Sequence, residues 1–84
     1  MENLIKNDRI KVLILKELNK EGKLTPSKIA SKLLVKYETV KKSLDFFESL
    51  KIVNNEVVKH GEKNYIYYQL TKLGKEVSKN AWAY

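Results

Sequence analysis

The sequence contains no cysteine, one proline, three glycines and a single arginine, Arg9, among its 17 cationic residues. The absence of cysteine excludes disulfide bonds, thiolate nucleophiles and zinc sites with cysteine ligands. Long apolar runs are missing too: the longest, Val12 to Leu15, has four residues, whereas a membrane-spanning helix needs about 20. Glu2 and Asp8 make the N-terminus unlike a basic signal peptide. We therefore expect a cytoplasmic protein.

Catalytic side chains are also scarce. His60 is the only histidine, so a metal site of several His or Cys ligands cannot be assembled, and there is no glycine-rich phosphate loop. No nucleophile lies in a pattern that pairs it with a base. We therefore expect a protein that is not an enzyme and that binds no metal and no cofactor. The 84 residues allow one domain, residues 1–84, with little room for a small-molecule pocket.

The charge balance is strongly basic, with a formal net charge of +7 and an isoelectric point near 9.6. Such a balance favours a polyanionic partner, and nucleic acid is the first candidate. The charge is concentrated, because residues 23–51 contain seven lysines against three acidic residues. Lysines on small helices also serve solubility alone, and this alternative stays open at the level of sequence. Because arginine is scarce, we expect phosphate contacts to outnumber bidentate guanine contacts.

The few structure-breaking residues lie between segments of helical periodicity. The spacing predicts a first helix over residues 8–21, capped by Asp8 and ended by Gly22. Thr25 and Pro26 are typical of the N-cap and first residue of a second helix. A third helix is predicted over residues 37–50, after a brief turn. The side chains expected to face the core are Ile10, Leu13, Ile14 and Leu18 in the first helix, Ile29, Ala30 and Leu33 in the second, and Val40, Leu44, Phe47 and Leu50 in the third.

The character of the sequence changes at Ile52. Residues 52–58 and 65–70 are rich in β-branched and aromatic side chains, which predicts two strands. The polar segment between them, residues 59–64, contains Gly61 and predicts a hairpin. Thr71 can cap a last helix over residues 71–80, with Leu73, Val77 and Ala81 on its inner face.

The middle of the chain carries a resemblance to a known family. Residues 24–33, LTPSKIASKL, followed by residues 37–44, YETVKKSL, resemble the helix-turn-helix of winged-helix transcriptional regulators. The hairpin that ends in LTKLG, residues 70–74, is similar to theirs as well. The likeness is greatest to small archaeal and bacterial regulators of the MarR/ArsR-like type. The chain departs from their pattern at Leu34 and Lys51, where such proteins often have glycine.

The resemblance implies an α+β fold: a winged helix-turn-helix with a three-helix core, a β-hairpin wing and a C-terminal helix. The helix-turn-helix would occupy about residues 25–50, the wing about 52–70 and the C-terminal helix about 71–80. It also implies a double-stranded DNA-binding protein that regulates transcription, with the third helix in the major groove. Lysine there can donate to guanine, and Glu38 can accept from cytosine N4.

The DNA-binding residues that this resemblance implies lie in two groups. The alternative is a solvated helix face, with Glu38 pairing with Lys42 and Lys41 with Asp45, and an ordinary polar β-turn. The helix-turn-helix group is Thr25, Ser27, Lys28, Lys36, Tyr37, Glu38, Thr39, Lys41 and Lys42, and the wing group is Lys59, His60, Lys63 and Asn64.

Apolar residues in excess of one buried face predict a homodimer, which would place two reading helices about one DNA turn apart. The alternative is that the aromatic C-terminus closes the core of its own chain. The predicted interface residues are Ile5, Val12 and Leu15 in the first helix and Trp82 and Tyr84 at the C-terminus. A second function stays open, a winged-helix module that binds protein in a transcription, replication or segregation assembly, and so does RNA binding.

Overall fold

The computed structural model describes residues 2–81, and side chains over residues 9–79. It has four helices and a three-stranded antiparallel sheet, as the α+β expectation required. No helix in this part of the chain is long and apolar enough to cross a membrane. The helices are α1 (Glu2–Glu21), α2 (Pro26–Leu33), α3 (Tyr37–Ser49) and α4 (Lys72–Ala81), and the strands are β1 (Lys23–Leu24), β2 (Val53–His60) and β3 (Lys63–Leu70).

The first helix is longer than predicted. It begins at Glu2, so Asp8 lies inside α1 and is not its N-cap. No glycine or proline interrupts residues 2–8, and nothing in them stops the helix from starting earlier. The predicted end is confirmed, because Gly22 takes a φ of +90° and its N–H donates to the Leu18 carbonyl at 2.9 Å.

The caps of α2 follow the prediction. The Thr25 hydroxyl accepts a hydrogen bond from the Lys28 N–H at 3.2 Å, and Pro26 is the first helical residue. Leu34 ends this helix in the left-handed conformation, with φ 56° and ψ 43°. Lys51, one residue past the C-cap Leu50 of α3, is also left-handed, with φ 64°. Among the residues that the structure describes, the two positions at which glycine was missing are therefore the two at which a side chain occupies left-handed backbone.

The sheet is larger than the predicted hairpin. Its strand order is β1-β3-β2, because the link between α1 and α2 pairs Lys23 with Gln69 and Leu24 with Tyr68. The hairpin itself is also longer, since β2 and β3 pair until His60 meets Lys63. Gly61 and Glu62 alone make the turn, and the predicted loop over residues 59–64 was too long.

The core lies between the helices and one face of the sheet. On α1 the core is a stripe of Ile14, Leu15 and Leu18. The expectation that Leu15 faces outward was therefore wrong. Leu13 was expected to face the core and is instead 38% exposed. A helix turns about 100° per residue, which places Leu13 to one side of that stripe. The other side chains of the hydrophobic core are Leu24 of β1, Ile29 and Ala30 of α2, Val40, Leu44 and Phe47 of α3, and Ile52, Val53, Tyr68 and Leu70 of the sheet region.

Two further apolar side chains are more exposed than predicted. Leu50 is 47% exposed because it lies just past the end of α3, where the chain turns away. Leu73 is 51% exposed, since α4 instead packs through Gly74 and Ser78, with Val77 half-buried. The face of α4 against the core is therefore narrow and made of small residues.

Candidate nucleic-acid interface

The outer face of α3 is polar at its start. Val40 and Leu44 point into the core, whereas Glu38 and Lys42 on the opposite side are exposed. No described carboxylate lies within 4 Å of the Lys42 ammonium, so the pair expected in the solvated alternative, Glu38 with Lys42, does not form. Lys42 thus presents a charge at the surface of this helix.

Lys41 points elsewhere. Its ammonium donates to the Tyr68 hydroxyl at 2.7 Å and to Asp45 Oδ1 at 3.2 Å, and it lies 5.2 Å from the centroid of the Tyr68 ring. The hydrogen bond to Tyr68 is the main reason that the pKa of Lys41 is raised above its ordinary value. This lysine therefore joins α3 to the middle strand of the sheet.

A groove of about 270 Å³ lies between the start of α2, the start of α3 and strand β3. It brings together five residues of the predicted DNA-binding set. Four apolar or aromatic neighbours complete it. Two of these neighbours, Tyr65 and Ile66, are 40% and 44% exposed, and Tyr37 of the predicted set is 49% exposed. The predicted residues in the groove are Thr25, Ser27, Tyr37, Lys41 and Asn64, and the others are Pro26, Tyr65, Ile66 and Tyr68.

The start of α2 adds exposed polar groups beside this groove. Ser27 and Lys28 are exposed, and Thr25 is half-buried because its hydroxyl caps the helix. Free N–H groups at a helix start favour anions. Lys36, at the N-cap of α3, is also exposed.

The tip of the hairpin carries the rest of the predicted set. Lys59, His60, Lys63 and Asn64 are all exposed and lie on paired strand positions next to the turn. The His60 ring packs edge-on against Tyr65, with centroids 5.6 Å apart. His60 is thus held against the hairpin. Among the described residues, no group of three His, Cys, Asp or Glu side chains could hold a metal ion.

The lysines of α2 have different surroundings. The Lys32 ammonium lies 2.9 Å from Glu21 Oε1 and 3.7 Å from Glu17 Oε2, which ties α2 to α1. Its hydrogen bond to Glu21 raises the pKa of Lys32 and lowers that of Glu21. Lys28 has no described carboxylate within 4 Å, so unlike Lys32 it forms no ion pair with a described residue.

A second groove, which the sequence analysis did not anticipate, lies between α1 and α3. It has a volume of about 320 Å³ and is lined by Lys11, Thr39, Lys42, Ser43 and Phe46. The Lys11 ammonium lies 4.6 Å from the centroid of the Phe46 ring. A signal was present in the sequence: Lys11 continues the stripe of Ile14, Leu15 and Leu18 by one turn.

The predicted dimer interface is only partly within reach of the described side chains. Val12 is half-buried, and Leu15 belongs to the core of its own chain. Ile5, Trp82 and Tyr84 lie outside the residues whose side chains are described. The homodimer therefore stays a prediction.

Solved structures share this arrangement. PadR of Bacillus subtilis, in complex with operator DNA, has a TM-score of 0.79 at 22% identity, over 88% of this chain and 46% of PadR. The adhesin competence repressor AdcR of Streptococcus pyogenes has a TM-score of 0.74 at 20% identity, over 86% of this chain and 52% of AdcR. YusO of Bacillus subtilis has 0.77 at 25%, over 99% of this chain and 60% of YusO. This is a winged helix-turn-helix fold.

The winged helix-turn-helix accounts for the parts described above. Helices α2 and α3 form the helix-turn-helix, and the β2–β3 hairpin is the wing. The chain spans about half the length of PadR and AdcR. No protein-family model and no curated protein matches the sequence. The expected fold of winged-helix regulators is therefore confirmed by three-dimensional likeness.

Proposed function

We propose that this chain binds double-stranded DNA and regulates transcription, with α3 in the major groove and the wing on the neighbouring backbone or minor groove. The likeness to PadR, which was solved with operator DNA, supports this function. The surroundings of Lys28 and Lys42 also support it, because no described carboxylate lies within 4 Å of either ammonium group.

The observation that carries the proposal is convergence of three elements on one groove. The start of α2, the start of α3 and the wing strand β3 all line it. In a helix-turn-helix the start of the second helix approaches base edges while flanking elements hold the phosphates. Residues far apart in sequence, such as Ser27 and Asn64, line this one groove, which supports the proposal that one DNA strand meets both.

The side chains divide into roles by their surroundings. Glu38 and Lys42 are both exposed on the outer start of α3. Glu38 is the base-reading candidate, and Lys42 can meet either a phosphate or a base edge. Ser27, Lys28 and Lys36 are phosphate candidates on the helix-turn-helix, and Lys59 and Lys63 are those on the wing. Lys41 acts mainly by holding α3 against the wing strand, because its ammonium is already bonded to Tyr68 and Asp45.

A homodimer would place two such faces on one pseudo-palindromic site. Sedimentation at tens of micromolar tests this part separately. A dimer whose association is lost on Trp82→Ala supports the predicted interface, whereas a monomeric wild-type chain contradicts it.

The main experiment is fluorescence anisotropy with a labelled random duplex, the matching single strand and a duplex RNA, over about 50 to 300 mM salt. We expect duplex DNA to bind best, with an affinity that falls steeply with salt. Lys42→Ala and Lys28→Ala should each lower the salt slope by about 0.9, the value for one lost phosphate contact. If Lys42 contacts a base instead, its variant loses affinity with less change in slope.

Lys75→Ala is the matched control, because Lys75 lines a different groove formed by the end of α1, β1 and α4. Its slope should equal that of the wild type. Duplex binding that is absent at low salt, or that responds equally to all three substitutions, contradicts the proposal.

A protein partner is the second candidate, favoured by one observation. Tyr37, Tyr65 and Ile66 share the groove and are 40–49% exposed, and aromatic side chains are frequent at protein interfaces. If the wild-type chain does not bind duplex DNA, this surface becomes the leading interaction site.

A further inference from the structure

The side of α3 that faces α1 carries an unusual stripe. Thr39, Lys42, Ser43 and Phe46 are spaced i, i+3, i+4 and i+7, so they lie one above another on the helix. This stripe borders the buried one formed by Val40, Leu44 and Phe47, and Ser43, which is 7% exposed, lies where the two meet. It provides two hydroxyls, one ammonium and one aromatic ring, and none of these side chains is acidic.

Lys11 supplies a second ammonium from α1. Its side chain is half-buried where the core stripe of α1 ends, and its ammonium lies 4.6 Å from the centroid of the Phe46 ring. The ring face attracts the cation. Phe46 is itself 47% exposed, so this contact holds the ammonium at the edge of the groove. Because the Lys11 side chain is already held there, it loses less conformational entropy on binding than a free surface lysine would.

We propose that the groove between α1 and α3 binds a phosphodiester group of duplex DNA, with Lys11 and Lys42 as its cations and Thr39 and Ser43 as hydroxyl donors. The inference rests on the proposed function and extends the DNA-binding face onto α1, an element that contributed nothing to the predicted DNA-binding set. Lys42 belongs to both the outer face of α3 and this groove. A strand that passes Lys42 at the major groove therefore reaches Lys11 next.

Phosphate is the ligand class that fits. Ammonium groups together with hydroxyl groups are the side chains that proteins use to hold DNA phosphates. The volume of about 320 Å³ is open to solvent and leaves room for a phosphate on a continuous strand. The groove is not enclosed and its lining is about half polar, which disfavours an enclosed apolar ligand.

The test compares the salt dependence of duplex binding for matched variants. Lys11→Met keeps the length of the side chain and removes its charge, Lys11→Arg keeps the charge, and Lys75→Met removes a charge from the separate groove. We expect Lys11→Met to make the fall of log affinity with log salt less steep by about 0.9. The factor by which its affinity lies below that of the wild type should therefore decrease about 3.5-fold between about 50 and 200 mM salt. Lys11→Arg and Lys75→Met should keep the wild-type slope.

Phe46→Leu examines the positioning contact. Leucine keeps apolar packing beside Phe47 and removes the ring face that holds Lys11. We expect Phe46→Leu to weaken duplex binding about 2-fold and the effect of Lys11→Met to shrink in that background, because residues in contact couple. Additive effects would overturn the positioning role of Phe46.

The outcomes separate the two proposals. If the wild type binds duplex DNA and Lys11→Met has the wild-type slope, or Lys75→Met loses as much, the groove is not a phosphate site and the proposed function stands. If the wild type does not bind duplex DNA, the proposed function fails, and the groove is judged by titration with inorganic pyrophosphate. Shifts of the Thr39 and Ser43 amide resonances that vanish in Lys11→Met then support the phosphate site, and their absence overturns it.

Discussion

The Lys41 ammonium lies 2.7 Å from the Tyr68 hydroxyl, across 27 positions of sequence. Tyr68 is 2% exposed and pairs with Leu24 of β1 and Asn55 of β2, so this one hydrogen bond links α3 to the strand at the centre of the sheet. A cation that bonds a buried hydroxyl is held more firmly than one at the surface. The contact therefore fixes α3 relative to the middle strand of the sheet.

The first prediction concerns this link. Tyr68→Phe removes the hydroxyl and leaves the ring in place. We expect the free energy of unfolding to fall by about 1 kcal/mol. The loss is modest for a hydrogen bond to a charged group because the Lys41 ammonium keeps its bond to Asp45. Lys41→Met should cost about the same. The double variant should lose less than the sum, because the two substitutions remove one interaction. Urea unfolding followed by circular dichroism measures all three.

The same variants distinguish a positioning lysine from a DNA-contacting one. If Lys41 mainly positions α3, Lys41→Met and Tyr68→Phe should both weaken duplex binding while the salt slope stays near the wild-type value. A slope that falls by about 0.9 in Lys41→Met alone would assign Lys41 to a phosphate instead.

The second prediction concerns the turn between α2 and α3. Leu34 has φ 56° and is 91% exposed, so its side chain adds strain and buries almost nothing. Left-handed backbone costs a non-glycine residue about 1–2 kcal/mol, and glycine loses about 0.5–1 kcal/mol through its more flexible unfolded chain. We expect Leu34→Gly to stabilise the fold by about 0.5 kcal/mol. Leu34→Ala keeps a Cβ and should give no such gain in urea unfolding.

Local signals in the sequence were sufficient for the order of the four helices and the hairpin. Thr25 and Pro26 define the start of α2 through the hydroxyl cap and the missing N–H, and Gly22 ends α1 through its positive φ. These effects act within one helical turn, so no tertiary information is needed to read them. The presence of the hairpin followed from the same kind of signal, Gly61 in a polar segment between two segments rich in β-branched and aromatic residues.

Contacts between distant segments were beyond that reach. Lys41 and Lys42 are neighbours with the same side chain, yet one bonds Tyr68 and the other faces outward, a difference that depends on where β3 passes α3. Lys11 acquires its place from Phe46 on another helix. The extra strand β1 likewise exists only because Gln69 and Tyr68 of β3 are there to pair with it.

The third prediction concerns the packing of α4. A Cβ at Gly74 would overlap the Ile52 carbonyl oxygen and approach the Leu70 side chain to 3.2 Å. Backbone atoms cannot turn aside as a side chain can, so α4 would have to move away from the sheet. We expect Gly74→Ala to lower the free energy of unfolding by about 2–3 kcal/mol. Lys75→Ala, on the exposed side of the same turn, should be nearly neutral, and equal thermal midpoints for the two variants would contradict the close approach.

The last prediction is a pH dependence that arises between α1 and α2. The hydrogen bond from Lys32, at 2.9 Å, lowers the pKa of Glu21 below its usual 4.5. A carboxylate with a lowered pKa in the folded state contributes stability above the usual value, and this contribution is lost as the pH falls through the lower, folded value. The wild type should therefore unfold at a higher urea concentration than Glu21→Gln at pH 6, by the small margin of an exposed ion pair.

At about pH 3 the same margin should shrink, since the unfolded chain then binds its proton and the folded carboxyl begins to do so. Glu62→Gln is the matched control for the change of charge, because Glu62 lies in the exposed turn of the wing and has no described cation within 4 Å. A Glu21→Gln margin that stays constant from pH 6 to pH 3 would mean that the contact with Lys32 does not hold α2 against α1. In that case Lys32 would be as free as Lys28 to meet a phosphate, and Lys32→Ala would lower the salt slope of duplex binding by about 0.9.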